Sequence, residues 1–89
     1  MKAVISVTGK DNVGIIAKVS CCCAEYGVNI IDVSQTVLGE YFAMIMLVDI
    51  EQINLPFTDF VDRMTAKGKE WDLEIHTMHE DIFNSMHNI

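Results

Sequence analysis

The chain has 89 residues, a net charge of −7 and an apolar fraction of 51%. This length predicts one domain, residues 1–89, and so short a chain buries only roughly 60–65% of its unfolded surface unless it associates. The acidic excess argues against nucleic-acid binding, because basic side chains supply most of the affinity for phosphate. No apolar run approaches the roughly 20 residues that span a bilayer, and residues 1–15 lack a signal-peptide pattern. We therefore expect a cytoplasmic protein with no membrane partner.

The first elements are a strand at residues 4–7, a polar loop at residues 8–12 and an amphipathic helix. Apolar side chains at helical spacing predict this helix over residues 13–26: Ile15, Val19, Cys22 and Tyr26. Asp11 or Asn12 is the expected N-cap, since short polar side chains satisfy the free N–H groups at a helix start. Gly27 stands where a helix commonly ends in the left-handed conformation.

Two strands follow the helix. Residues 29–37 alternate, with one face predicted to contain Ile31, Val33, Gln35 and Val37. Gly39 is the expected left-handed turn residue before a second strand at residues 41–50. That strand is almost wholly apolar, which predicts a central strand covered on both faces or nearly so.

The last third of the chain predicts a helix, a strand and a short tail helix. Pro56 fits a first helical position, and the helix is expected to end near Gly68. Alternation over residues 71–78 predicts a half-buried strand. The tail helix has one apolar stripe: Ile82, Phe83, Met86 and Ile89.

The order β-α-β-β-α-β followed by a helix predicts an α+β, ferredoxin-like βαββαβ sandwich. Its antiparallel sheet has the order 4-1-3-2, with two helices on one face and a short C-terminal helix. An RNA-recognition motif would need aromatic residues on the first strand, and a heavy-metal carrier would need a C-x-x-C loop at residues 8–14. An acylphosphatase-like enzyme would need an Arg in that loop. Residues 4–14 contain none of these.

The cysteines and histidines are expected to be structural. Neighbours on a helix project about 100° apart, so Cys21, Cys22 and Cys23 do not converge on one metal. They fit core or interface packing in a reducing compartment. His76, His79 and His87 fit surface or capping positions, because no third ligand and no nucleophile with a placed base accompanies them. We expect no metal, no cofactor and no catalytic residue.

The start of the first helix is the strongest candidate site. Free backbone N–H groups and the positive end of the helix dipole favour a carboxylate or phosphate there. Gly14 would allow a small ligand or another backbone to approach closely. The simpler interpretation is a capped helix whose glycine packs tightly against a strand, and spacing alone favours it.

Two stretches resemble a known family. Asp11-x-x-Gly14, the apolar helix and Gly27-Val28-Asn29-Ile30 resemble the first half of an ACT domain, a small regulatory module of amino-acid metabolism. The run from Glu74 to Ile89 is similar to short, stand-alone ACT-domain proteins of bacteria and archaea. Those proteins are in turn similar to regulators of the glycine cleavage system.

The resemblance implies a non-catalytic regulator that binds an amino acid at the interface of a homodimer or larger oligomer and modulates a protein target. The implied ligand-binding residues are Asp11, Asn12, Val13, Gly14, Ile15, Asn29 and Ile30. Asp11 and Asn29 are the implied acceptors for the ligand ammonium. The alternative is a ligand-free dimeric adaptor. ACT domains often have Pro before the glycine and a basic residue before that; Val13 and Asn12 depart from this pattern and favour the adaptor.

Overall fold

A computed structural model of the chain describes residues 1–10 and 13–86. Within these residues the chain forms four strands and three helices, in the predicted order. Their bounds are β1 (Lys2–Lys10), α1 (Ile15–Glu25), β2 (Asn29–Leu38), β3 (Tyr41–Asp49), α2 (Phe57–Glu70), β4 (Leu73–His79) and α3 (Glu80–Met86). None of the described helices is long and apolar enough to cross a membrane.

The strands form one sheet in the order β2-β3-β1-β4, and each neighbouring pair is antiparallel. This is the predicted order 4-1-3-2 read from the other edge, so the ferredoxin-like fold is confirmed. β2 and β4 are the edge strands. β1 ends at Lys10 opposite Tyr41, and β2 ends at Leu38 opposite the same residue. The chain therefore enters α1 at the end of the sheet where β2 stops.

The core lies between α1, α2 and one face of the sheet. Alternate strand residues are buried there against apolar side chains of both helices, and Phe60, Met46 and Val19 are among the fully buried ones. The T-shaped contact between Tyr26 and Phe60, with ring centroids 5.9 Å apart, joins the end of α1 to α2.

The prediction that β3 is covered on both faces is wrong for the described chain. Its residues alternate between buried and exposed, and Tyr41, Ala43 and Ile45 are exposed on the face opposite α1 and α2. The tail helix α3 contacts β1 and β4. Val4 of β1 is buried on that face and its β3 partner Leu47 is half-buried, so the face is open mainly towards the start of β3.

Several element boundaries differ from the predictions. Pro56 is the N-cap of α2 rather than its first helical residue, because its ψ of 141° is extended. Gly68 does not end α2, which continues to Glu70. A Cβ at Gly68 would lie 2.9 Å from the Leu73 carbonyl oxygen, so this glycine allows α2 to approach β4 closely. As a result Trp71 caps α2 and β4 begins only at Leu73.

The predicted left-handed glycines are confirmed, and β2 contains an irregularity that alternation did not predict. Gly27 and Gly39 have φ values of 74° and 63°. In β2, Ile30 pairs with Val48 but Asp32 already pairs with Leu47, so Ile31 is an extra residue in a bulge. Ile31 therefore does not belong to the regular face that contains Val33. The predicted third helix is present as α3, while Ile89 and His87 lie outside the described residues.

Candidate functional site

A cavity of about 350 Å³ lies between the start of α1 and the end of β2. It is lined by residues 14–17 together with Gln35, Val37 and Phe42. Pairing places Val37 directly opposite Phe42, and Gln35 opposite Met44, whose side chain is buried in the core. Gln35 and Val37 thus lie on the face of β2 that is turned towards the helices. The antiparallel sheet and the entry into α1 together create this cavity.

The start of α1 has no side-chain cap among the described residues. Its N-cap is Gly14, so the prediction that Asp11 or Asn12 occupies this position is wrong. The Gly14 carbonyl accepts a hydrogen bond of 2.9 Å from the Lys18 N–H. The N–H groups of the first turn have no acceptor within the helix. Because Ile16 and Ala17 line the cavity, these donors lie beside it, where the helix dipole favours negative charge.

Gly14 is required here by its backbone conformation. Its φ of 85° lies in the left-handed region, where a side chain is strained. A Cβ at this position would meet no described atom within 4 Å. The simpler sequence interpretation, a glycine packed tightly against a strand, is therefore wrong for the described chain. No described atom occupies the space beside Gly14, and the neighbouring Val13 is 95% exposed.

Within a single chain, the predicted site residues are not all close to one another. Gly14 and Ile15 line the cavity and Val13 adjoins it, while Asp11 and Asn12 lie outside the described residues. Asn29 pairs with Asp49 and Ile30 with Val48, at the opposite end of β2. At about 3.3 Å per residue, Asn29 is roughly 25 Å along the strand from Val37. Within one chain, Asn29 and Ile30 do not contribute to this cavity.

Gln35, Val37 and Phe42 are cavity residues that the sequence motif did not identify. Gln35 is the polar side chain among them, and its amide makes no hydrogen bond within the described part of the chain. A signal was available, because Gln35 interrupts an otherwise apolar face between Val33 and Val37. Only the position of β2 relative to α1 shows that this interruption faces a cavity.

Several apolar side chains are exposed on the edge strand beside the cavity. Nearly every residue of β2 is exposed, including Ile31, Val33, Val37 and Leu38. The strand contains no Pro, Lys or Arg, although Asp32 and the bulge at Ile31 are features that can limit the pairing of an edge. Ile16 of α1 is also exposed next to this edge. The outer edge of β2 therefore has no neighbouring strand within the described chain.

The three cysteines differ in solvent exposure because they lie on different faces of α1. Cys21 is exposed, whereas Cys22 and Cys23 are buried in the core, and all three are free thiols. Burial raises the pKa of Cys23 to about 11 and also raises the pKa of Cys22. Buried neutral thiols of this kind are packing groups rather than nucleophiles.

The described histidines make local contacts. Nε2 of His76 lies 3.4 Å from Oε2 of Glu74 on the exposed face. The His79 ring packs against Phe57 with ring centroids 4.2 Å apart. Residues 1–10 and 13–86 contain no group of three side chains placed to hold a metal ion.

The comparisons with known proteins agree with this fold. The sequence profile of the ACT domain matches residues 2–78. A UPF0237 protein from Listeria innocua is 49% identical over 89 residues, which cover all of both chains. The solved ACT domain protein from Streptococcus pneumoniae has a TM-score of 0.82 and 43% identity over 93% of each chain.

A putative glycine cleavage system transcriptional repressor has a TM-score of 0.69 and 27% identity, over 85% of this chain and 43% of its own. The resemblance seen in the sequence is therefore confirmed along almost the whole chain. The helix start, the glycine that precedes it and the left-handed Gly27 all lie inside the matched region. The chain belongs to the ACT domain family.

Proposed function

We propose that this protein is a non-catalytic cytoplasmic regulator that binds an amino acid or a similar small ligand at a homodimer interface and thereby modulates a partner protein. One observation carries the proposal. The start of α1, which has no side-chain cap among the described residues, opens into a cavity of about 350 Å³ beside an exposed edge strand. Membership of the ACT family supports a regulatory role. The proposal includes no metal, cofactor or nucleic acid.

The described walls of the cavity suit the carboxylate and the side chain of an α-amino acid. The ligand carboxylate would accept hydrogen bonds from the N–H groups at the start of α1, where the dipole is favourable. The ligand side chain would lie against Ile16, Val37 and Phe42, which are apolar. Ligand pockets commonly combine mostly apolar walls with a few polar groups that fix orientation.

A second copy of the chain would supply the residues that a single chain leaves at a distance. β2 is the edge of the sheet, and antiparallel pairing of two β2 strands over residues 29–38 places residue 29 opposite residue 38. Asn29 and Ile30 of the partner would then lie beside the cavity of the first copy. Such a pairing continues the sheet and keeps the helices of both copies on one side. It would also cover Leu38, which is 78% exposed.

The experiment compares two glycine variants by ligand-induced thermal shift and calorimetry against the common amino acids. A ligand that binds only the folded state raises the melting temperature. Gly14 and Gly39 have φ values of 85° and 63°, and a Cβ at either would meet no described atom within 4 Å. Gly14→Leu and Gly39→Leu should therefore both lose about 1–2 kcal/mol of stability from backbone strain. Only Gly14→Leu should abolish binding, because only its side chain enters the cavity.

Light scattering on the same samples tests the dimer, and a monomer at micromolar concentration would contradict the proposal. The alternative is a ligand-free dimeric adaptor, which the exposed Val13 and the exposed apolar side chains of β2 favour. That function is supported instead if no amino acid binds at millimolar concentration and Gly14→Leu breaks the dimer while Gly39→Leu does not.

A further inference from the structure

We propose that the open face of the sheet, the side opposite α1 and α2, is an interface between two copies of this chain, in which the exposed side chains of α3 of each copy enter an apolar cavity of the other. The inference goes beyond the proposed function, because this face is separate from the cavity at the start of α1 and from the outer edge of β2. Both contacts together would join two edge-paired dimers into a tetramer.

An apolar cavity lies at one end of the open face. Its volume is about 290 Å³, and its walls include Leu38, Tyr41 and Ala43 beside the hydroxyls of Thr8 and Thr36. Strand register places all five residues on this face, since Thr8 and Thr36 are both paired with Ala43, and Leu38 with Tyr41. Leu38 is 78% exposed and Tyr41 is 57% exposed, so apolar surface remains accessible there within the described chain.

The helix α3 presents an exposed apolar pair at the other end of the same face. It contacts β1 and β4, and Val4, which points to this side of β1, is buried. Ile82 and Met86 are four residues apart and therefore lie next to each other on one side of the helix. They are 52% and 65% exposed. α3 follows residues 2–78, so it lies outside the part of the chain that matches the ACT profile.

A second copy of the chain is the occupant that this arrangement fits. The protruding pair and the cavity lie on one face at different places, so a twofold axis between them puts α3 of each copy over the cavity of the other. Both contacts then form at once and the assembly closes. Val4 and Thr8 are four residues apart on β1, or roughly 13 Å. This spacing leaves room for the two α3 helices side by side, since a helix with its side chains is about 10 Å wide.

Charge and area are consistent with self-association. The residues that line the cavity are uncharged, and so are residues 82–86 of α3. In a chain with a net charge of −7, contact through neutral surfaces limits the repulsion between copies. Four strands about 4.8 Å apart and about 30 Å long give a face of roughly 600 Å² per copy, or roughly 1,200 Å² in a pair. This is the lower end of the range for specific interfaces, so we expect reversible association.

Sedimentation equilibrium of the full chain tests the interface with two variants that each add one charge. Met86→Glu places a carboxylate on α3, and Ala43→Lys places an ammonium group at the cavity. Both positions are exposed, so the fold should tolerate the changes. Each variant alone should weaken association by about ten-fold or more, because an unpaired charge loses its hydration in the interface. Ala66→Glu and Ala66→Lys are the matched controls and should have no effect, since Ala66 is exposed on α2, on the other side of the sheet.

An equal mixture of the two variants should restore association. In the mixed pair one contact brings the two opposite charges together, and the other contact retains both native side chains. Association that is unchanged in both variants overturns the proposal. A mixture that associates as weakly as its components also overturns it and would assign the open face to a protein target instead.

The mass of the wild-type protein and of Met86→Glu separates this inference from the proposed function. A wild-type protein that remains monomeric at millimolar concentration overturns the inference. If the wild-type mass is halved in Met86→Glu, the interface is supported, and the species that remains reports on the edge. A remaining dimer supports pairing through β2, whereas a remaining monomer contradicts that pairing and leaves the open-face interface in place.

Discussion

Replacing Thr77 with Val should stabilise the protein, because the threonine hydroxyl is buried without a partner. Thr77 lies on β4 opposite Ile5 and is 8% exposed. Its Oγ1 has no hydrogen-bond partner within the described residues. Water, its partner in the unfolded chain, is lost on folding. The folded state therefore bears an uncompensated desolvation cost.

The expected gain is about 1 kcal/mol. An unsatisfied buried hydroxyl costs roughly 1–3 kcal/mol, and Val has nearly the same shape with a methyl in place of the hydroxyl. Both residues are β-branched, so strand propensity is almost unchanged. For a domain of this size, 1 kcal/mol raises the melting temperature by about 4–8 °C.

Urea unfolding measures this change through the fluorescence of Trp71, the chain's single tryptophan. Protomer concentration is held constant, because association would contribute to apparent stability. Thr65→Val is the control, because Thr65 is exposed and its hydroxyl donates to the Val61 carbonyl oxygen at 3.0 Å. The free energy of unfolding of this variant should remain within about 0.5 kcal/mol of the wild-type value. Thr77→Ser retains the hydroxyl and should destabilise the fold. A loss of 1 kcal/mol or more in Thr77→Val would refute the reasoning and indicate a buried water bound to the hydroxyl.

Three further predictions concern Gly68 and the cysteines. Gly68→Ala should destabilise the protein by about 1–3 kcal/mol in the same urea assay, because the new Cβ would lie 2.9 Å from Ile75 Cγ1. Alanine normally stabilises a helix interior relative to glycine, so an increase in stability would contradict this prediction. A thiol reagent should modify only Cys21 in the folded protein and all three cysteines after unfolding. The pKa of Cys23 is about 11 when folded against 9.0 when exposed, so stability is unaffected below pH 9 and falls by up to about 2 kcal/mol as the pH rises to 11. Cys23→Ala should remove this part of the pH dependence, and an unchanged slope would show that another group causes it.

Local patterns predicted the order of elements because each pattern depends on a few neighbouring residues. The 3.6-residue period over α1 and the alternation in β4 reflect which side chains face the core. Gly27 and Gly39 were predicted for the same reason, since a left-handed turn needs no distant partner. The ferredoxin-like topology then followed from the few ways of connecting four strands and two helices.

The errors occurred where distant contacts override a local preference. Gly68 looks like the end of a helix, but the close approach of β4 requires a glycine inside α2. The N-cap error has a local cause instead, since Gly14 itself, with a left-handed φ of 85°, directly precedes α1. The bulge at Ile31 depends on pairing with β3, which alternation in β2 alone does not reveal.

The sequence predicted only part of the candidate site, for a related reason. The motif located residues 13–15 at the helix start, while Gln35 and Val37 enter the cavity through the register of β2 against β3. Polar interruption of an apolar face is a weak signal by itself. It becomes informative once the opposing element is known.

The separation of Asn29 from Gly14 follows from the connectivity of the fold. α1 has 11 residues and advances about 16 Å from its start at the cavity before β2 begins at its far end. A residue that directly follows the helix therefore cannot line the start of the same helix. If Gly14 and Asn29 contact the same ligand, they must therefore belong to two different chains. Pairing of the two β2 strands would place Asn29 of each copy beside the α1 start of the other. Ligand binding and dimerisation are then one hypothesis, and a monomeric protein that binds an amino acid with Asn29 in contact would disprove it.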